Sequence, residues 1–163
     1  MKNTLILLIS IALISCQHKK TTASFHQLDI TYSSGWGKRF SVIIDSTGKV
    51  ILGERWADRT FFSAQLDDQD LLKLDSAYRQ TPFESYDSTY YKDDGTDAYS
   101  YKVVLPAFNN KAVYVYGEME PGSLKLFMEC VIEIVDRLSP VPADTAVIFE
   151  SHKGFYPPQP PIK

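Results

Sequence analysis

The sequence predicts an α+β domain: a mostly antiparallel sheet with two helices packed on one of its faces. Three observations predict this fold. Runs that alternate apolar with polar residues and are rich in Val, Ile, Tyr and Phe are typical of strands. Short turns join these runs into hairpins, and two other segments have apolar residues at helical spacing. Because a hairpin precedes each helix, the pattern also allows a ββα pseudo-repeat.

The first half of the domain is predicted to contain four strands and one helix. A hairpin is indicated by the turn Asp45-Ser46-Thr47-Gly48, where glycine suits a positive φ. The helix is expected over residues 67–80, because Asp67 can cap its first turn and Leu71, Leu74 and Tyr78 share one face. The predicted strands cover residues 28–32, 39–44, 49–56 and 60–64.

The second half is predicted to contain a long loop, a second hairpin and the clearest helix. Residues 81–97 are polar and interrupted by Pro82, which favours a loop. Strands are expected over 98–105 and 111–117. The last helix starts at Pro121 and ends at Ser139-Pro140. Its apolar arc is so wide that the sheet alone cannot cover it. The remainder, 140–163, is predicted to be an extended Pro-rich tail.

The N-terminus carries the pattern of an export signal. Lys2 precedes an apolar run over residues 5–14 that is too short to span a bilayer. The segment ends Leu13-Ile14-Ser15-Cys16, which resembles the lipobox of bacterial lipoproteins. That resemblance implies that residues 1–15 are removed and that Cys16 is acylated, with palmitate among the expected chains.

The remaining chain is predicted to be one anchored domain. Residues 16–27 are expected to be a lipidated tether and 28–139 the globular domain. Gln17 follows Cys16, and by resemblance to sorting rules in diderm bacteria this favours the outer membrane, facing the periplasm. The anchor makes a membrane the first expected partner.

Composition narrows the classes of function. The chain has 163 residues, with 17 Lys+Arg against 20 Asp+Glu. This mild acidity gives no reason to expect a nucleic acid partner, which needs a concentrated basic face. Because lipidation uses Cys16, only Cys130 remains. It lies mid-helix among apolar neighbours and is expected to be a buried, inert thiol. No motif indicates a cofactor.

A family resemblance covers residues 28–138. The run Phe40-Ser41-Val42-Ile43-Ile44-Asp45 before Gly48, the segment Thr96-Asp97-Ala98, and Leu124 in the last helix carry it. In these motifs the chain resembles an uncharacterised domain-of-unknown-function family of bacterial lipoproteins and secreted proteins. Members often have cysteines in the turn where this chain has residues 33–38. The resemblance therefore implies a fold and does not imply a reaction. Because this chain has no cysteine in that turn, no thiol role is expected there.

Two segments could bind a ligand. In the first, Trp36 lies between two glycines and is followed by Lys38 and Arg39. Such a tryptophan can stack on a sugar or anchor a partner protein; alternatively, it folds back over the sheet edge. The second is an acidic loop whose carboxylates suit calcium, although a solvated turn explains them equally. The acidic residues concerned are Asp93, Asp94 and Asp97.

The tyrosines leave two interpretations open. Alternation places Tyr99 and Tyr101 on one face of their strand, and Tyr114 and Tyr116 on one face of theirs. Exposed, they would form an aromatic surface suited to binding. Buried, they would be core and cross-strand pairs.

The hypothesis for function is a membrane-anchored lipoprotein of the cell envelope that acts as a non-enzymatic binding or accessory module. All three histidines of the chain fall outside the predicted scaffold: His18, His26 and His152. A general base needs the fixed geometry that a scaffold provides. The expected partner is an envelope protein or a cell-wall component. The alternative is a hydrolase that uses the carboxylates of the acidic loop. A purely structural module is a third hypothesis.

Overall fold

The computed structural model describes residues 21–34, 37–53, 60–92 and 99–155. In this part of the chain, eight strands form one sheet and two helices lie on one of its faces, which confirms the predicted α+β class. The elements, in chain order, are β1 Gln27–Ser34, β2 Arg39–Asp45, β3 Lys49–Gly53, β4 Phe61–Gln65, α1 Asp68–Arg79, β5 Thr89–Tyr91, β6 Tyr99–Leu105, β7 Lys111–Tyr116, α2 Gly122–Arg137 and β8 Val141–Ala143.

The sheet has β1 near its centre. Its strand order is β5-β7-β6-β1-β2-β3-β4-β8, and every neighbouring pair is antiparallel except β5 with β7. β1 pairs with β2 on one side and with β6 on the other, so it joins the two hairpins in one sheet. The ββα pseudo-repeat stays a prediction.

The β2–β3 turn follows from its sequence. Gly48 has a φ of +79°, and its N–H donates to the Asp45 carbonyl at 2.9 Å. The Asp45 carboxylate also accepts from the N–H of Thr47 at 2.8 Å. A residue with a side chain would be strained at that φ, so glycine fixes the predicted hairpin.

Both helices begin and end as the sequence predicts, within a residue or two. The Asp67 carboxylate accepts from the N–H of Asp70 at 2.8 Å and caps α1. Arg137 of α2 pairs with Glu133, four residues earlier on the same helix, at 2.7 Å and with Asp70 of α1 at 2.5 Å. Cys130 is buried, as expected, and burial raises the pKa of its thiol. The described part contains no helix long and apolar enough to cross a membrane.

The core lies between the helices and one face of the sheet. Side chains at alternate positions of the central strands, such as Ile30, Val42 and Val103, are fully buried against α1 and α2. Leu74, Phe127 and Ile134 are the helical counterparts, each 0 % exposed. Burying a side chain of this size contributes about 1.5–3 kcal/mol.

The end of the predicted tether belongs to the fold. Phe25 is buried, and its ring centroid lies 5.4 Å from that of Tyr78 on α1. The N–H and hydroxyl of Ser24 both donate to the Asp75 carboxylate at 2.6 Å. Residues 23–27 therefore extend the domain, and the expected boundary at residue 28 is a few residues too late. The alternation of β1 was visible in the sequence, whereas the contact between Phe25 and α1 is long-range.

Two further stretches are more ordered than predicted. The expected long loop over 81–97 contains β5, together with Phe83 and Tyr86, which are buried in the core. The expected extended tail contains β8, which pairs with β4, and a short 3-10 turn at Glu150–His152. Residues 149–155 cross the face of the sheet opposite the helices, and this segment is called the C-terminal strap below.

Candidate functional site

The C-terminal strap is held by packing at both ends. Phe149 lies against Gly53 of β3, with its ring centroid 6.2 Å from that of Phe61 of β4. At the far end the centroid of Phe155 lies 6.0 Å from that of Tyr114 on β7. The strap thus runs across the strands and covers the face that the helices leave open.

The middle of the strap joins the sheet through a polar chain of five residues, of which all but the half-buried His152 are buried. Ser151 donates to the Asp29 carboxylate at 2.6 Å, and its hydroxyl lies 2.6 Å from that of Thr31. The hydroxyl oxygens of Thr31 and Ser41 are 2.9 Å apart, and the Ser41 hydroxyl shares a hydrogen bond with Nε2 of His152. The polar chain is therefore Asp29–Ser151–Thr31–Ser41–His152.

Counting hydrogens gives the polar chain a direction. Each hydroxyl has one hydrogen, and that of Ser151 goes to Asp29, so Thr31 donates to Ser151 and Ser41 donates to Thr31. Nε2 of His152 is then the donor to Ser41. Desolvation raises the pKa of Asp29 and lowers that of His152, so burial disfavours both charged forms. His152 lies within the scaffold, and its predicted place outside it is wrong.

The contacts of this polar chain attach the C-terminal strap to the sheet. Ser41 is 0 % exposed, and a serine nucleophile must reach its substrate. Asp29 accepts from Ser151 and from the N–H of Glu150 at 2.6 Å. It does not orient the His152 ring, as the third group of a triad would.

A pocket opens on the helix side of the sheet, between α2 and the end of β1 at Ser34. Its volume is about 160 Å³, which corresponds to roughly five molecules of liquid water. Ser34 and Tyr99 are directly opposite each other in the β1–β6 register, so Tyr32 and Tyr99 lie close together. The lining residues define the tyrosine pocket: Tyr32, Tyr99, Tyr101, Glu120, Lys125, Met128, Glu129 and Ile132.

Two of the tyrosines that line the pocket differ in what their hydroxyls contact among the described residues. Tyr101 is 1 % exposed, and among the described residues its hydroxyl makes no hydrogen bond. Glu120 is the charged group that acts most strongly on it. Tyr99, whose ring lies 6.1 Å from that of Tyr101 at 8°, donates its hydroxyl to Oε1 of Glu120. Burial and Glu120 raise the pKa of both phenols, which keeps them neutral.

A second, larger groove of about 360 Å³ lies between α1 and α2, with Cys130 in its lining. Its hydroxyls already have partners. Thr81 donates to the Ala77 carbonyl at 2.8 Å, and Ser123 lies 2.5 Å from the hydroxyl of Tyr86. The groove also lacks the cluster of three aromatic rings that lines the tyrosine pocket.

The predicted site residues fall into two groups. Lys38 forms an ion pair with Asp136, donates to the Ile132 carbonyl at 3.5 Å and lies 5.4 Å over the Phe40 ring, so it attaches β2 to α2. Arg39 is exposed at the start of β2. The second group lies outside the described ranges, so three expected roles stay predictions. These are lipidation at Cys16, binding at Trp36, and metal binding at Asp93, Asp94 and Asp97.

Sequence reasoning identified only part of this site. It placed Tyr99 and Tyr101 on one face, which is confirmed. It missed Tyr32 and Glu120, because only the long-range β1–β6 pairing and the start of α2 bring them together. In the described ranges, no three His, Cys, Asp or Glu side chains are grouped to hold a metal ion.

Protein-family models, curated proteins and solved structures contain no match to this chain. The resemblance to a family of lipoproteins and secreted proteins accordingly remains a prediction.

Proposed function

We propose that this chain is a lipid-anchored lipoprotein of the cell envelope, and that its domain is a non-enzymatic binding module with the tyrosine pocket as its ligand site. The observation that carries the proposal is the lining of the pocket, where the rings of Tyr32, Tyr99 and Tyr101 and the carboxylate of Glu120 surround a volume of about 160 Å³. Aromatic rings provide a large and rigid contact area for a ligand. The carboxylate adds a charged hydrogen-bond acceptor at the same place.

The chemistry of the pocket favours binding over catalysis. The raised pKa values of Tyr99 and Tyr101 keep both phenols protonated at neutral pH. A general acid or base works best when its pKa is near the operating pH. The two phenols therefore suit hydrogen bonding and ring contact, which are the functions of a binding site.

The pocket lies at the end of β1 that is farther from the proposed lipid anchor. From a lipid on Cys16, the chain would enter β1 at Gln27, whereas the pocket lies at the opposite end of that strand. Tyr32 is roughly 17 Å along the strand from Gln27, at about 3.3 Å per residue. A domain tethered through its N-terminus would hold this pocket on the side remote from the bilayer.

Photocrosslinking in intact cells tests the binding site. A photoreactive amino acid at Lys125, an exposed residue of the pocket lining, should capture a discrete adduct that mass spectrometry can identify. The matched control is the same amino acid at Leu72, which is 57 % exposed on α1 and outside the pocket. No adduct at position 125, or equal adducts at both positions, would contradict the proposal.

The anchor is tested separately by metabolic labelling with palmitate. The native chain should carry the label and sediment with membranes, and Cys16→Ala should abolish the labelling. Labelling that persists in Cys16→Ala would refute lipidation at this residue without affecting the proposed binding site.

A further inference from the structure

The tyrosine pocket has an excess of negative charge. Glu120 and Glu129 line it, against one cation, Lys125. Lys125 and Glu129 are four residues apart on α2, the spacing at which helical side chains can pair. Among the described residues, Glu120 belongs to none of the ion pairs and is bonded to the neutral hydroxyl of Tyr99. This charge disfavours an anionic ligand and attracts a cation.

The aromatic rings of the pocket also favour a cationic ligand. Tyr32, Tyr99 and Tyr101 contribute three rings to the pocket. The face of an aromatic ring is negative, so it attracts a cation within about 6 Å, and more strongly where water is excluded. Rings and carboxylate together therefore favour a positively charged ligand group over a neutral one of the same size.

The Glu120 carboxylate narrows the class of cation. A primary ammonium group has three N–H donors and no acceptor. It can donate to the Glu120 carboxylate while its charge faces the rings, whereas a quaternary ammonium has no N–H to donate. We infer that the tyrosine pocket binds the primary alkylammonium group of its ligand, an inference that rests on the proposed binding function. The pocket volume of about 160 Å³ suits such a head group with a short alkyl chain.

Titration of the full chain with small probes tests this inference. The probe is n-butylammonium, compared with neutral n-butanol and with tetramethylammonium, and binding is measured by calorimetry. Butylammonium should bind with a dissociation constant on the order of a millimolar, as expected for a fragment of this size. Butanol and tetramethylammonium should each bind at least about tenfold more weakly, because one lacks the charge and the other lacks N–H donors.

A pair of glutamate variants locates the interaction. Glu120→Gln should weaken butylammonium binding about tenfold, because it removes the charge from the proposed acceptor. Glu118→Gln makes the same change two positions earlier in the chain, at an exposed residue outside the pocket lining. It should change the affinity by less than about threefold, since exposed charges are strongly screened. Equal effects of both variants would overturn the inference.

The outcomes separate this inference from the proposed function. If butanol or tetramethylammonium binds as well as butylammonium, the pocket does not discriminate in favour of a primary ammonium group. The inference then fails, while the proposed ligand site remains. If butylammonium does not bind but a crosslinked adduct forms at Lys125, the same conclusion follows. If neither probe nor adduct is found, both the inference and the proposed function fail.

Discussion

Two buried tyrosines with different hydroxyl pairing should respond in opposite ways to the same substitution. Tyr101→Phe removes a buried hydroxyl that has no partner among the described residues. Tyr86→Phe removes one that lies 2.5 Å from the Ser123 hydroxyl. Both tyrosines belong to the core, at 1 % and 8 % exposure, so the change in apolar packing is matched.

The magnitudes follow from hydrogen-bond energetics. Removing an unpaired buried hydroxyl recovers up to about 1–3 kcal/mol if the pocket is dry, and little if water pairs with it. Tyr101→Phe should therefore raise the free energy of unfolding by about 1 kcal/mol. Tyr86→Phe loses a bond with a net value of about 1 kcal/mol and leaves Ser123 with an unmet partner, so it should lower the free energy by about 1–2 kcal/mol.

Urea denaturation followed by circular dichroism measures both effects. The expected result is a higher midpoint for Tyr101→Phe and a lower one for Tyr86→Phe, with unchanged slopes. If Tyr101→Phe loses as much stability as Tyr86→Phe, the Tyr101 hydroxyl has a partner within the fold. The conclusion that this hydroxyl is buried without a partner would then be refuted.

Three further substitutions or conditions test the fold around the site. Ser151→Ala should cost about 1–3 kcal/mol, because it removes the side-chain donor to the buried Asp29 carboxylate and leaves it the Glu150 N–H; a loss below about 0.5 kcal/mol on urea denaturation would show that the polar chain does not hold the strap. Burial lowers the pKa of His152 from 6.5, so its contribution is present above pH 6.5 and lost as the pH falls below that value. If the urea midpoint of His152→Gln falls as much between neutral and acidic pH as that of the native chain, the loss of stability belongs to another group. Gly117 has a φ of +75°, and a Cβ there would lie 2.4 Å from a backbone oxygen, so Gly117→Ala should cost about 2–4 kcal/mol in thermal unfolding. Gly122→Ala, with open space at its Cβ, should cost less than about 0.5 kcal/mol.

Local sequence patterns were enough to predict the elements that local interactions determine. The turn at Gly48 and the cap at Asp67 each depend on residues within four positions of one another. The spacing of apolar residues in α2 likewise reports which side of that helix is buried. These patterns predicted the hairpins, both helices and the fold class.

The second face of the sheet could not be predicted because its cover comes from the far end of the chain. In β1, Asp29, Thr31 and Ser33 alternate with apolar residues, a pattern that is typical of a strand with one solvated face. The structure buries all three polar side chains, two of them beneath the C-terminal strap. A local signal was present at Thr31 and Ser33, which have short hydroxyl side chains where a solvated face often has charged ones.

The tyrosine pocket was only half predictable for a similar reason. Alternation placed Tyr99 and Tyr101 on one face, but it could not show that Tyr32 of β1 approaches them. Nor could it distinguish a paired hydroxyl from an unpaired one, because this depends on which groups of α2 and its N-terminal flank lie above the sheet. The functional hypothesis therefore named Trp36, which lies outside the described residues, and left open whether the tyrosines are exposed for binding or buried.

The most direct test of the central claim is a nuclear magnetic resonance titration of the labelled full chain with a soluble extract of the cell envelope. The account predicts concentration-dependent shifts at Tyr99, Tyr101, Met128 and Ile132, the residues that line the tyrosine pocket. The contradictory result is an extract that shifts none of these signals, or one that shifts only residues of the groove between α1 and α2.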